Sequence, residues 1–154
     1  AGGEAVVIGG GGTALPTISA LADAGFTSVR VVVRSPERAA DVAALAEALG
    51  LRCGFLPFVA SAELTEACRS ARVVVSTVPS PATAPIIDSV RVASAVIDVI
   101  YNPWPTPLAA AVTASGGRIV GGLVMLLNQA YSQVEQFTGL PAPREAMAAA
   151  ITDT

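Results

Sequence analysis

An apolar run that begins at Ala5 empties into four consecutive glycines, Gly9-Gly10-Gly11-Gly12, followed by Thr13 and Ala14. The spacing is Gly-x-Gly-x-x-Ala, with Gly9, Gly11 and Ala14 at its fixed positions. Such a loop can hold a pyrophosphate. Gly9 can turn the chain sharply. Gly11 has no Cβ to keep phosphate oxygens off the main chain, and Ala14 lets a helix pack close to the strand. The free N–H groups at the helix start, at the positive end of its dipole, then face the anion.

Arg34 is the second chemical signal. It lies 20 residues past Ala14, at the end of the next apolar run. In NAD-specific folds that place carries Asp or Glu, which accepts hydrogen bonds from ribose hydroxyls. An arginine favours a 2′-phosphate instead. Arg38 stands about one helical turn further on and can close a second side of the same group. The pair predicts NADP as the cofactor.

The remaining toolkit is short. The chain of 154 residues contains no histidine, and all nine of its cations are arginines. Ser-His-Asp and Cys-His nucleophiles, histidine metal sites and lysine Schiff bases are therefore excluded within it. Cys53 and Cys68 are 15 residues apart, without metal-ligand spacing, and read as reduced thiols of a cytoplasmic protein. The net charge is −3 and the arginines are scattered, so no nucleic-acid surface is expected. Hydrophobic residues make up 53% of the chain, yet no stretch reads as a membrane span and no signal peptide is visible. A partner domain absent from this sequence is one source for the excess apolar surface.

The elements that must position these groups alternate. Apolar runs predict strands over 5–8, 28–33, 51–56, 72–76, 95–100 and 118–120. Helical patterns cover 13–24, 36–49, 62–70 and 106–115, with Gly25 and Gly50 placed to end the first two, and Ser35 and Pro36 placed to begin the second. Further helices are expected over 123–137 and 143–151. The fold class is therefore α/β, a doubly wound parallel sheet of order 3-2-1-4-5-6 with right-handed crossovers. Residues 1–122 form the dinucleotide-binding unit and 123–154 a C-terminal helical segment. The loop 77–81 leaves a central strand where open sheets bind ligands. It reads either as a passage for the nicotinamide ribose or as a proline-rich connector.

Three segments carry a more specific likeness: 7–14 with the glycine loop, Val33-Arg34-Ser35-Pro36-Glu37-Arg38-Ala39, and Asp98-Val99-Ile100-Tyr101-Asn102-Pro103-Trp104-Pro105. A fourth is Gly122-Leu123-Val124-Met125-Leu126-Leu127-Asn128-Gln129, with Phe137-Thr138-Gly139 downstream. In this order they resemble the C-terminal, NADP-binding, Rossmann-type domain of shikimate dehydrogenases, the actinobacterial members in particular. The resemblance implies NADPH-dependent reduction of 3-dehydroshikimate to shikimate in aromatic amino-acid biosynthesis. It implies that Gly9, Gly10, Gly11, Gly12 and Thr13 hold the pyrophosphate, and that Arg34, Ser35 and Arg38 hold the 2′-phosphate. Val99, Gly122 and Met125 would lie at the nicotinamide, and Tyr101 and Gln129 would reach the substrate. The helix from Leu123 onward would return toward an N-terminal substrate domain.

The chain departs from the family pattern at Val33, where asparagine is common, and at Leu15, where a basic residue is frequent. It also departs at Ser76-Thr77-Val78-Pro79, which stands for Asn-Ala-Thr-Pro, and at Val124, which stands for a glycine. The catalytic lysine and its aspartate partner belong to the substrate domain of such enzymes. Asp98 has no evident acid–base partner in sequence, and Tyr101 no nearby cation, so no catalytic residue is assigned within this chain. The expected role is the cofactor half of an enzyme. The alternatives are a relative acting on quinate or another small hydroxy acid, and a non-catalytic NADP-binding module. Convergence of Tyr101 and Gln129 on one side of the nicotinamide would speak against the module.

Overall fold

The computed structural model describes residues 2–152. Its frame is a six-stranded sheet of order β3-β2-β1-β4-β5-β6. The strands are β1 (Glu4–Ile8), β2 (Ser28–Val33), β3 (Arg52–Pro57), β4 (Val73–Ser76), β5 (Ala95–Asp98) and β6 (Arg118–Gly121). Every pairing is parallel, and the register sets Ile8 beside Val32 on one side and Ser76 on the other. The expected strand order is the observed one.

Helices cover both faces, which is why the central strands are apolar without alternation. Ala5, Val6, Val7 and Ile8 are all fully buried. Val6, Ile8, Val32, Val74 and Val96 face α3 (Ala62–Ser70), α4 (Ile87–Val90) and α5 (Pro107–Ala114), through Leu64, Val90 and Leu108. Ala5, Val7, Val29, Val31 and Val33 face α1 (Ala14–Asp23) and α2 (Ala40–Ala48), through Ala14, Ile18 and Val42. The sheet thus separates two apolar layers, and each residue of β1 from Ala5 to Ile8 belongs to one or the other.

Local chemistry ends these elements where they must turn. Ser61 caps α3, its hydroxyl accepting from the Leu64 N–H at 3.0 Å. The Thr106 hydroxyl does the same for Ala109 at the start of α5. Three segments differ from the sequence reading, the first being the expected strand over 95–100, which stops at Asp98, where the carboxylate takes the Ile100 N–H. The expected helix over 36–49 opens with a 3₁₀ turn, Pro36–Ala39, before α2 begins. Ser80–Ile86, whose first two residues read as the end of the loop 77–81 and whose others carry no expected element, form a second 3₁₀ stretch that runs into α4. Pro81 and Pro85 supply no N–H and restrict the residues before them, so a short tight helix forms where a regular one cannot.

Beyond β6 the chain continues as α6 (Gly122–Thr138) and α7 (Arg144–Thr152). Of the 17 residues of α6 only Gly122 is buried. Arg144 joins the two helices, with an ion pair to Glu135 at 3.4 Å and its guanidinium 4.8 Å from the Tyr131 ring centroid. No helix is long and apolar enough to cross a membrane among the described residues.

Candidate functional site: a cavity at the parting of β1 and β4

β2 continues the sheet on one side of β1 and β4 on the other, so the chains leaving β1 and β4 diverge and open a crevice at their C-terminal ends. The glycine loop leaves β1 at that place. The Gly9 N–H donates to the Val32 carbonyl at 2.9 Å, and Gly9 has φ +104°, a conformation that needs glycine. A Cβ there would also stand 2.7 Å from Thr77 Oγ1 and 2.8 Å from Val78 Cγ1. Around Gly11 and Gly12 the space is open. The N–H groups of Gly11, Gly12 and Thr13 have no protein partner among the described residues, and Ala14 closes the first turn by donating to the Gly11 carbonyl at 2.9 Å. Thr13 stands before α1 without capping it through its side chain. These groups form an anion cradle at a helix start.

A cavity of about 400 Å³ opens beside this cradle, lined by Gly9, Gly10, Gly11, Val32, Val33, Arg34, Ser35, Arg38, Ala39, Phe58, Thr77, Val78, Pro79 and Ala82. The structure therefore brings the expected clamp residues, Arg34, Ser35 and Arg38, into the lining of the same cavity as the glycine loop. Arg34 and Arg38 are exposed and form no ion pair among the described residues. Ser35 occupies the cap position of the Pro36–Ala39 turn, but its hydroxyl makes no capping bond. The expected N-cap interaction is absent because the Arg38 N–H donates instead to the Ser35 main-chain carbonyl, at 3.1 Å. Two guanidinium groups and one hydroxyl thus face the cavity mouth without partners among the described residues, a donor set suited to a phosphate monoester.

The loop after β4 adds a further wall, in contact with Gly9. Both the N–H and the hydroxyl of Thr77 donate to the Ile8 carbonyl, at 2.9 and 2.8 Å, which ties the loop to β1. Val78, Pro79, Ala82 and the half-buried Phe58 make this wall apolar. Sequence reasoning missed Phe58 and Ala82. Phe58 follows β3 and donates its N–H to the Val33 carbonyl at 3.1 Å, so its place depends on β3 lying against β2. An aromatic residue directly after a strand-ending proline was the one local signal.

A second cavity, of about 390 Å³, opens at the other end of the sheet edge between β5, β6 and α6. Tyr101, Trp104, Ile119, Val120, Gly121, Leu123 and Val124 line it. Its only titratable lining group is Tyr101, which is 53% exposed. The Trp104 indole lies over Gly121, where a Cβ would come within 2.7 Å of the ring. Gly122 packs on the carbonyl of Val99 so closely that any Cβ would collide with it, and the Gly122 N–H donates to the Ile100 carbonyl at 3.1 Å. Asp98, 1% exposed, accepts from the Ile100 N–H at 3.2 Å and from the Thr106 hydroxyl at 2.7 Å. Asp98 thus has a structural partner that its surroundings in sequence did not reveal.

The other residues expected around the nicotinamide and substrate are more dispersed. Val99 and Gly122 touch each other at the root of α6, and Met125, 38% exposed, lies one turn along it. Gln129 is exposed on α6 and lies outside the lining of the Tyr101 cavity. Gly12 and Thr13 are exposed beside the first cavity.

Comparison with known proteins agrees with this geometry. Residues 4–102 match the family described as "NADP oxidoreductase coenzyme F420-dependent", and residues 122–152 match "Shikimate 5'-dehydrogenase C-terminal domain". The chain is 39% identical over 142 residues to an NADP(+) shikimate dehydrogenase of Paramagnetospirillum magneticum, covering 89% of this chain and 49% of that protein. Its structure superposes on the shikimate dehydrogenase of Mycobacterium tuberculosis with a TM-score of 0.91 and 46% identity, over 97% of this chain and 57% of the other. For the Mycobacterium fortuitum shikimate 5-dehydrogenase the values are 0.90 and 47%, over 96% and 55%. The chain spans about half the length of the relatives it matches. By its glycine loop, its sheet order and the match over residues 4–102, the chain belongs to the NADP oxidoreductase family, and its residues 122–152 are similar to the C-terminal domain of shikimate dehydrogenases.

Proposed function

We propose that this chain is the NADPH-holding half of an enzyme that reduces 3-dehydroshikimate to shikimate. The observation that carries the cofactor assignment is the placement of Arg34, Ser35 and Arg38, without side-chain partners among the described residues, in the lining of the same cavity as the glycine loop. In this reading residues 9–13 hold the pyrophosphate, with the free main-chain N–H groups of Gly11, Gly12 and Thr13 as donors, and the arginines hold the 2′-phosphate. Phe58, Val78, Pro79 and Ala82 give the adenosine end an apolar wall. NADPH held there would supply the hydride that, with one proton, reduces the substrate's ketone to an alcohol.

This chain's part in that chemistry is orientation. Val99 and Gly122 fix the end of β5 against α6, and Tyr101 and Gln129 offer polar groups to substrate from exposed positions. That reduction needs a proton donor within hydrogen-bond reach. Tyr101 alone among the lining residues carries a titratable proton, and the chain has no lysine or histidine. In this reading the proton donor belongs to a separate substrate domain, which is in keeping with a chain that spans about half the length of the relatives it matches. The exposed side of α6, with Leu123, Val124 and Phe137, is the face that would meet that domain, and residues 123–154 form the returning segment.

The test is titration of this chain with NADPH and with NADH, followed by nicotinamide fluorescence, and repeated with Arg34→Ala. Loss of one charge-assisted phosphate contact is expected to weaken NADPH binding by about 1.5–3 kcal/mol more than NADH binding. Equal affinities of the parent chain for the two cofactors would overturn the clamp. For the substrate, the full-length protein is assayed with NADP⁺ against shikimate and quinate. Oxidation of shikimate in preference to quinate is expected. Cofactor binding without turnover of either would return the chain to the non-catalytic module.

A further inference from the structure

The glycines of the loop do not all serve the ligand. Gly11 and Gly12 have open space where a side chain would be, so the protein itself would accept a Cβ at either place. Gly10 differs. Its φ is not positive, so its backbone conformation does not require glycine. What it requires is room: a Cβ would stand 2.7 Å from the Ala39 Cβ and 2.9 Å from Val33 Cγ1.

Those two contacts bracket the clamp. Val33 directly precedes Arg34, and Ala39 directly follows Arg38. Both are buried, at 7% and 2% exposure. Between them the chain is drawn together by the bond from the Arg38 N–H to the Ser35 carbonyl. The arginine-bearing segment is therefore a compact turn whose two ends rest on the bare Cα of Gly10. Val33 is β-branched and stiff, and the Ala39 Cβ moves only with its backbone. A side chain at position 10 cannot be accommodated by a rotamer change, and the turn must shift relative to the glycine loop.

We propose that Gly10 is a spacer that sets cofactor specificity. Its missing side chain fixes the distance between the pyrophosphate cradle and the 2′-phosphate clamp. The inference rests on the NADPH reading above and adds to it a positioning residue that touches protein, with Val33 and Ala39 as its counterparts. Charge-assisted bonds lose strength steeply when donor and acceptor are pulled apart or misaligned. A displaced turn therefore weakens the cofactor that carries a 2′-phosphate more than the one that lacks it.

The experiment compares the ratio of NADH to NADPH dissociation constants in the parent chain, Arg38→Ala, Gly10→Ala and the triple variant Gly10→Ala/Val33→Ala/Ala39→Gly. The ratio is the readout because a general loss of folded protein or of pyrophosphate binding leaves it unchanged. Gly10→Ala is expected to lower the ratio about tenfold, the equivalent of one charge-assisted contact. The triple variant removes both opposing groups and is expected to restore it. Ala39→Val crowds the same contact from the side of the turn and is expected to act as Gly10→Ala does. A parallel loss of both cofactors, an unchanged ratio, or a triple variant that fails to restore it would overturn the spacer. Failure of both Gly10→Ala and Ala39→Val to fold would assign the contact to the fold alone and overturn the spacer equally. A parent chain without preference for NADPH, or an Arg38→Ala ratio equal to the parent's, removes the clamp itself and the spacer with it. A clamp present in the parent and lost in Arg38→Ala, with the ratio intact in Gly10→Ala, removes the spacer only.

Discussion

The Thr106 hydroxyl donates to Asp98 Oδ2 across 2.7 Å, and both side chains are almost completely withdrawn from solvent. The same hydroxyl oxygen accepts from the Ala109 N–H at 3.0 Å, while Asp98 Oδ1 accepts from the Ile100 N–H at 3.2 Å. One carboxylate and one hydroxyl thus tie the end of β5 to the first turn of α5. The loop that carries Tyr101 and Trp104 hangs between these two fixed points.

Thr106→Val keeps the shape and removes both hydrogen bonds. It leaves a buried carboxylate oxygen without a donor and α5 without its cap. The expected cost is about 2–4 kcal/mol, from the unsatisfied charged group and the lost cap together. Urea unfolding is the measurement, with a lower midpoint and an unchanged slope as the expected result. A loss below about 0.5 kcal/mol would mean that water replaces the hydroxyl, so that the pair does not hold the loop.

Ser76 is the opposite case. It sits at the end of β4, between Ile8 and Asp98 in the register, and is fully buried. Its hydroxyl is the one buried side-chain polar atom without a hydrogen bond among the described residues. Ser76→Ala removes a desolvated group that gains nothing in return, at almost no change in volume. Stability is expected to stay level or to rise by about 1 kcal/mol. A clear drop in thermal midpoint would show that the hydroxyl has a partner in solution.

Cys68 lies fully buried in α3 against the sheet, and burial pushes its thiol pKa up to about 12. Burial also raises the half-buried Cys53, in β3. The sign follows from linkage. Above the ordinary thiol pKa the unfolded chain releases the Cys68 proton and the folded chain keeps it, so unfolding gains. The contribution is complete below about pH 9 and is lost as the pH rises toward 12, at up to about 1.4 kcal/mol per pH unit. Unfolding curves collected across that range are expected to fall less steeply for Cys68→Ala than for the parent. At pH 8 iodoacetamide is expected to label Cys53 before Cys68, and the reverse order would contradict the burial of α3 against the sheet.

Much of this architecture could be read in the residues. Continuous apolar runs such as 5–8 signalled strands covered on both faces, and glycines at 25 and 50 marked where helices end. The place of Arg34 beside the glycine loop could be read because its distance from that loop is set by one βαβ unit. The parts that stayed illegible are those in which distant segments meet. Phe58 reaches the cavity only because β3 lies against β2. Ser80–Ile86 is helical in a sequence rich in proline, where the 3.6-residue period cannot show. Asp98 looked unpartnered because its partner sits eight residues on, past two prolines. Ser35 was legible as a cap by residue type, yet its main-chain carbonyl takes the bond that closes the turn.

The division of the interior by the sheet has a consequence for how the molecule tolerates change. The layer under α1 and α2 holds Val33 and Ala39 on either side of the arginine turn, and the layer under α3, α4 and α5 supports both Phe58 and Val78 of the first cavity and Leu108 beyond the Tyr101 loop. Among the described residues no core side chain belongs to both. Repacking around Ile18 and Val42 therefore alters the ground on which the clamp stands, and repacking around Leu108 and Val112 alters the ground beneath the loop. Such changes are close to independent, since additivity holds for sites without shared neighbours. One layer is free to drift beneath the arginine turn, while the other keeps the shape of the apolar wall of the first cavity and the footing of the Tyr101 loop.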